Sequence, residues 1–295
     1  MVNHNLINKT MDFDDLQTEE AKKIIGELDE LVALIKERDL KISSWYGKFN
    51  LRSSHRSPER INRGYGYEGL GVSTDDKNFP WFLYWEIIWL ASKNEFVSGQ
   101  KVLDLGGSSS LFSYYLASKG LEVTAVDLDE DLVRNGNIVA EKMNWDLKNY
   151  VMDLRDLDFS STYDHITSVC VFEHIPMYER IKINKKIKSL LVKGGKFSIT
   201  FDYRNPCRSA GISSPSDVYT QFIEPSGLQV RGNKQFMDNG KNYLLQPFYY
   251  NKRLWLYKLY RIYKRDFNIR ELFDTKYQND YTFGALFMER KITKF

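Results

Sequence analysis

The sequence predicts a doubly wound α/β fold. Three observations carry that prediction: apolar runs of strand length recur between residues 101 and 201, helically spaced segments separate them, and glycines or carboxylates follow the runs. Alternation of this kind builds a parallel sheet with its ligand crevice at the carboxyl ends of the strands. The first unit is KVLDLGGSSSLFSYYLASKGLEVTAVD, residues 101 to 127. Val102 to Leu105 is expected as a strand, Gly106 and Gly107 allow a tight turn close to a ligand, and the serines at 108 to 110 can cap the following helix. Leu111 with Tyr115, and Phe112 with Leu116, fall four apart on one helical face, while Gly120 suits the left-handed position past the helix end. Val123 to Val126 is the second expected strand, with Asp127 at its carboxyl end.

The atoms around the turn select its ligand. Dinucleotide sites use G-x-G-x-x-G, so that bare amides and a helix N-terminus meet a pyrophosphate. Gly106 and Gly107 meet only the first part of that pattern, and Asp104 stands two residues before the first glycine. A carboxylate there repels a pyrophosphate and attracts an ammonium. In these residues the chain resembles the class I S-adenosylmethionine-dependent methyltransferases, in their small-molecule branch, whose first motif is an acidic residue, any residue, then glycine. The resemblance implies a Rossmann-like seven-stranded methyltransferase sheet, S-adenosylmethionine as cofactor and methyl transfer as activity. It also implies that Asp104, Gly106 and Gly107 hold the methionine part of the cofactor, and that Asp127, next to Leu128, accepts hydrogen bonds from both ribose hydroxyls. Ser108 departs from the family, which usually has a third glycine there; it adds bulk and a hydroxyl donor.

Later segments fall in the same order. Asp129 can cap a helix with Leu132, Val139 and Met143 on one stripe, and Tyr150 to Met152 is expected as a third strand ending at Asp153. The resemblance makes Asp153, beside Leu154, the partner of the adenine amino group; ordinary turn chemistry is the alternative. Residues 163 to 175, YDHITSVCVFEHI, predict a fourth strand followed by Phe172, Glu173 and His174. Residues 176 to 191 predict a helix carrying Ile181, Ile187, Leu190 and Leu191, and LLVKGGKFSITF gives a helix end, a double-glycine turn and a fifth strand. Methyl transfer from a sulfonium is an in-line displacement of a neutral leaving group, so the protein mainly aligns and desolvates. A base matters when the acceptor is a hydroxyl, and His174 is the candidate, with local packing as the alternative. Glu173 is expected to order the cofactor loop, and Asp202, Tyr203 and Arg204 are candidate acceptor contacts.

Composition suits one enlarged α/β domain. The chain has 295 residues, 42% hydrophobic and 27% charged, with a net charge of +3 that implies no strongly charged partner. Cys170 and Cys207 are too few and too far apart for a disulfide framework or zinc knuckle, and a reducing cytoplasm is the expected location. No apolar run reaches the ~18 residues needed to span a bilayer, and the N-terminus lacks a signal-peptide layout.

The flanks are individual. Residues 1 to 94 are expected as a helical extension and the methyltransferase domain as 95 to 295. Within the extension, residues 14 to 39 predict a long helix whose Ile24, Leu28, Leu31 and Ile35 pack on the enzyme's own surface, with a homodimer seam as the alternative. Residues 52 to 67 form an arginine-rich loop whose Arg56, Arg60 and Arg63 are candidate grips on an anionic acceptor. Asn78 is expected to cap a helix from Pro80 to Ala91, whose tryptophans cover the sheet's edge or roof the pocket. Ser214-Pro215 starts another helix, 228 to 233 predict a sixth strand and 281 to 291 the seventh, with an insertion at about 236 to 278. Its basic, aromatic part at 251 to 267 is expected as a lid over the acceptor, with peripheral membrane contact as the alternative. The expected acceptor is a small molecule, a hydroxyl of a sugar or glycan intermediate. No metal triad is expected, and nucleic acid is disfavoured because the chain is barely basic; an RNA methyltransferase and a non-catalytic binding protein are the rival readings.

Overall fold

The computed structural model describes residues 6–45, 47–49, 79–205, 211–244 and 280–292, with Leu259 and Tyr263 singly. Five parallel strands form its centre: β2 (Lys101–Leu105), β3 (Glu122–Asp127), β4 (Leu147–Val151), β5 (Tyr163–Val169) and β6 (Leu191–Tyr203). The first described strand, β1 (Lys9–Thr10), and β7 (Gln229–Val230), β8 (Tyr243–Leu244) and β9 (Asp280–Glu289) complete a nine-stranded sheet. The order along it is β1-β9-β6-β5-β2-β3-β4, with β7 and β8 also paired to β9. The chain order reverses at β2, between β3 and β5, and such a reversal opens a ligand crevice at the strands' carboxyl ends.

Local chemistry sets the connecting helices. Ser110 Oγ accepts from Ser113 N to start α3 (Leu111–Ser118), which follows α1 (Glu19–Glu37) and α2 (Trp81–Asn94); Gly120, at φ 78°, turns the chain after it. Asp129 caps α4 (Glu130–Met143), as expected. In α5 (Met177–Leu190) the core face is Ile183, Ile187 and Leu190, and Ile181 is only half-buried. The double-glycine turn lies inside β6, where pairing with β5 jumps from Tyr163–Leu191 to His165–Lys196 around Gly194. β4 begins three residues before the expected third strand; its LKNYV sequence is polar because it is the sheet's edge and buries only Leu147 and Asn149. Ser214 caps α6 (Pro215–Val218), which runs through a π turn, Tyr219–Ile223, into α7 (Glu224–Ser226).

The N-terminal segment is part of the domain rather than an appendage. Phe13–Gln17 forms a separate 3-10 turn, and Thr18 then caps α1, whose Ile24, Leu28, Leu31 and Ile35 are all buried within this chain. The stripe considered as a dimer seam therefore belongs to the intramolecular core, packed toward α2 and α3. Pro80 holds the N-cap position of α2, while Asn78 lies outside the described residues. Phe82 stacks on Phe283 at 5.3 Å, and Trp85 Nε1 donates to Asp15 at 2.8 Å. No helix among the described residues is long and apolar enough to cross a membrane. Apart from Leu259 and Tyr263, the 251–267 segment, as lid or membrane contact, lies outside the described residues.

β6 pairs along β9, and three short strands from distant parts of the chain, β1, β7 and β8, also pair with it. β1 pairs with Gly284 and Ala285, and β7 pairs with Met288 and Glu289. The expected sixth strand shrinks to Gln229–Val230 because Gly232, at φ 64°, turns the chain away. Buried Asn8 bridges the gap: its Nδ2 donates to the carbonyls of Arg231 at 2.5 Å and Asn233 at 2.9 Å, and its Oδ1 accepts from Phe287 N at 2.7 Å. Asn8→Ala leaves those groups buried without partners and is expected to cost about 3 kcal/mol. The check is urea unfolding, with a lowered midpoint at unchanged slope; an unmoved midpoint would remove Asn8 from the account.

Candidate functional site

The turn after β2 is held by close contacts that exclude side chains. Gly106 has φ 77°, its amide donates to Val126 O at 2.8 Å, and a Cβ there would lie 2.5 Å from Val171 Cγ2. A Cβ on Gly107 would lie 1.9 Å from Asp104 Oδ2. The turn is bare because Asp104 stands directly beneath it. The Asp104 carboxylate is buried, flanked in the sheet by Ala125 and Thr167, and accepts from Ser113 Oγ at 2.6 Å and Thr167 Oγ1 at 2.9 Å. Burial pushes its pKa up to about 6, partly offset by the two hydroxyls.

Three spaces that share Gly106 and Asp127 in their walls surround this turn. A recess of about 70 Å³ is lined by Asp104, Gly106, Gly107 and Ser108, with Ser43, Ser44 and Trp45 from the N-terminal segment among its other walls. A crevice of about 330 Å³ runs past Asp127, Leu128, Asp153 and Leu154 to His174, and a second cavity of about 310 Å³ lies beyond His174, against Glu86, Cys170, Glu173 and Asp202. Gly106, Asp127, Val171 and His174 line both larger spaces. The two volumes are of the size that holds a small organic ligand.

The expected cofactor-side residues and His174 all fall among the described residues. Asp127 ends β3; burial raises its pKa, while the amides of Leu128 and Asp129 counteract this by donating to it. Leu128 is exposed along the crevice and Leu154 is buried in its wall. Asp153 caps the 3-10 turn Leu154–Asp156 and is paired with Arg155, whose Nε lies 2.9 Å from each carboxylate oxygen and holds its pKa below the usual range. Asp153 therefore does the turn chemistry that was the alternative, and it also lines the crevice. His174 ends the 3-10 turn Phe172–His174; its side chain is half-exposed, with Nε2 3.9 Å from Glu173 Oε1. Glu173 is buried on the side of the second cavity.

The three residues expected after β6 separate. Asp202 and Tyr203 are still in the strand and, as neighbours, point to opposite faces. Asp202 lines the second cavity, whereas Tyr203 is buried in the core beside Phe236 and its hydroxyl donates to Asp238 at 3.3 Å. Arg204 is turned away at φ 60° and pairs with Asp238 at 3.1 Å. Arg56, Arg60 and Arg63 lie outside the described residues.

Other groups in the site were not singled out in the sequence. Glu86, from the middle of α2, accepts from the Cys170 thiol at 2.5 Å; burial, with Glu173 and Asp202 nearby, raises its pKa well above the usual carboxylate range. Burial and the same carboxylates push the Cys170 thiol up as well. One ligand atom each from Cys170, Glu173 and Asp202 lies within 4.8 Å of the others, a group that spacing along the chain does not announce. A lone glutamate inside WFLYWEIIWL was the available signal for Glu86, since a charge in an otherwise buried run has to serve some polar partner. Trp45 had no such signal.

The recess fits the amino-acid end of S-adenosylmethionine. Ser108 Oγ is buried there with no hydrogen-bond partner among the described residues, the two glycines leave a cradle that a Cβ would fill, and Asp104 offers negative charge beneath it. Residues 102–195 match the family model described as "Methyltransferase domain". The chain is similar to a ubiquinone biosynthesis O-methyltransferase of Xanthomonas axonopodis pv. citri, 30% identical over 44% of this chain and 59% of that protein. A protein of the same name from Xanthomonas oryzae pv. oryzae is 29% identical over 54% of this chain and 72% of its own length. The chain thus spans about three fifths of the length of the first curated relatives it matches. Among solved structures, magnesium protoporphyrin IX methyltransferase from Synechocystis aligns over 70% of this chain and 76% of its own, at 16% identity and a TM-score of 0.44. Residues 102–195 are thus similar to a methyltransferase domain, and the Asp104-Gly106-Gly107 turn and the switch in strand order at β2 lie within the matched segment.

Proposed function

We propose that the chain transfers a methyl group from S-adenosylmethionine to a small-molecule acceptor, at a hydroxyl of a sugar or glycan intermediate. The observation that carries this reading is the shared wall of Gly106, Asp127, Val171 and His174 between the crevice and the second cavity. The residues of the first space would hold the cofactor and those of the second the acceptor, with the shared wall between them. The relatives' name specifies methylation at oxygen, which supports a hydroxyl acceptor.

S-adenosylmethionine supplies an electrophilic methyl on a sulfonium, and the chain's residues bind, orient and deprotonate around it. Asp104 and the glycine turn receive the ammonium end, with Ser108 Oγ as a donor to the carboxylate; Asp127 and Leu128 receive the ribose; and Asp153 and Leu154 receive the adenine. Glu173 orders the loop that carries His174. His174, half-exposed between the two spaces, takes the acceptor's proton through its imidazole. Asp202 contacts the acceptor from the far wall.

Calorimetric titration with S-adenosylhomocysteine tests the crevice. Native protein is expected to bind at micromolar level and Asp127→Ala to lose about ten-fold or more, as expected when a charged hydrogen-bond acceptor is removed. Gly107→Ala is expected to weaken binding by a similar factor, about ten-fold, because its Cβ must displace Asp104. His174→Ala should retain cofactor affinity yet slow transfer by about a hundred-fold or more; normal turnover would remove the base assignment.

Asp104 gives the binding a pH signature. In the free protein its pKa is about 6, and an ammonium beside it favours the ionised form, so binding releases a proton below that pH. Affinity is therefore expected to be level above pH 7 and to fall as pH drops through about 6, by up to about ten-fold per unit. Asp104→Asn should flatten the profile; an unchanged slope in that variant would assign the proton to another group.

A further inference from the structure

The second cavity carries more acidic groups and aromatic rings than the proposed hydroxyl transfer uses. Among the described residues lining it, the carboxylates are Glu86, Asp127, Glu173 and Asp202, and the rings of Trp45, Tyr281 and Phe283 line the same space. A sugar hydroxyl can donate to a carboxylate, but being neutral it leaves the carboxylate's charge uncompensated. A cation gains from both features: its N–H groups make charge-assisted bonds to carboxylates, and the polarised carbons around it favour aromatic faces. These are independent observations, one from α2, the end of β3, the turn after β5 and the end of β6, the other from β9 and the segment before residue 47.

From this wall we infer that the acceptor carries a protonated amine, seated between the carboxylates of Asp202 and Glu173 and the rings of Trp45, Tyr281 and Phe283. The inference rests on the methyl-transfer reading for its account of what enters the cavity, and it adds the acceptor's chemical class: an aminated small molecule, of which an amino sugar is one kind. The amine is the group by which the acceptor is held, and His174 faces the hydroxyl that reacts. Asp202 becomes a specificity-determining residue. Its Oδ2 accepts from Asn205 Nδ2 at 2.6 Å, which fixes the carboxylate at the end of β6.

The test uses amine and alcohol pairs of matched shape: glucosamine with glucose, ethanolamine with ethylene glycol, benzylamine with benzyl alcohol. Each is titrated calorimetrically into the protein with and without saturating S-adenosylhomocysteine. At least one amine is expected to bind about ten-fold more tightly than its alcohol, and Asp202→Asn, which keeps the side chain's shape, should bring that pair within about two-fold while S-adenosylhomocysteine affinity stays native. No amine outbinding its alcohol overturns the inference, as does a preference that survives Asp202→Asn. A divalent metal found by elemental analysis of the purified protein, and lost in Asp202→Asn, also overturns it by giving the Cys170–Glu173–Asp202 group to an ion. Failure to bind S-adenosylhomocysteine at all strikes the methyl-transfer reading instead, while cofactor binding without amine preference strikes this inference alone.

Discussion

Burying the Asp104 carboxylate at the carboxyl end of β2 constrains everything around it. A charge in the middle of a sheet costs several kcal/mol unless hydrogen bonds and a counter-charge offset it, as a rough general figure. Here two hydroxyls do part of that work, Ser113 from α3 and Thr167 from the neighbouring strand β5. Their placement requires α3 to start at Ser110 and β5 to pair in the register that sets Thr167 beside Asp104. It also requires glycine at 107, because the carboxylate occupies the space of a Cβ. The raised pKa shows that the offset is incomplete.

Much of this was legible in the sequence because it is local. Strand, glycine turn, capped helix and second strand lie within residues 101 to 127, and each depends on neighbours three or four residues away, which is the range over which periodicity and capping operate. The same holds for Asp129 at the start of α4 and for Ser214 at the start of α6. Edges were less legible. β4 is polar and half-exposed, so it lacks an apolar run, and β1 and β7 are only two residues long, defined by Asn8 and Asn233 reaching across more than two hundred residues.

The second cavity was the least legible, for a physical reason. Its walls come from α2, the segment around Trp45, the turn after β5 and the ends of β6 and β9. Only tertiary packing brings these together, so no spacing rule connects Glu86 with Cys170 or Asp202. Tyr203 and Arg204 illustrate the limit from the other direction. Adjacency to Asp202 suggested a shared face, yet the strand continues through Tyr203 and alternation sends that ring into the core.

The two sets of carboxylates differ in how their burial is compensated, and the difference divides the site into two halves. Asp104 is satisfied by two hydroxyl donors from rigid elements, with Asp127 adding a smaller upward push on its pKa. Glu86 is held by the Cys170 thiol while Glu173 and Asp202 raise its pKa further, so that on this side acidic groups confront one another. Burial and its acidic neighbours favour the protonated form of Glu86, and a cationic ligand would favour the ionised form, so binding and ionisation are coupled on this side. The sheet that makes β2 its switch point, and the N-terminal segment that pairs with β9 and walls the cavity at Trp45, hold these acidic groups together.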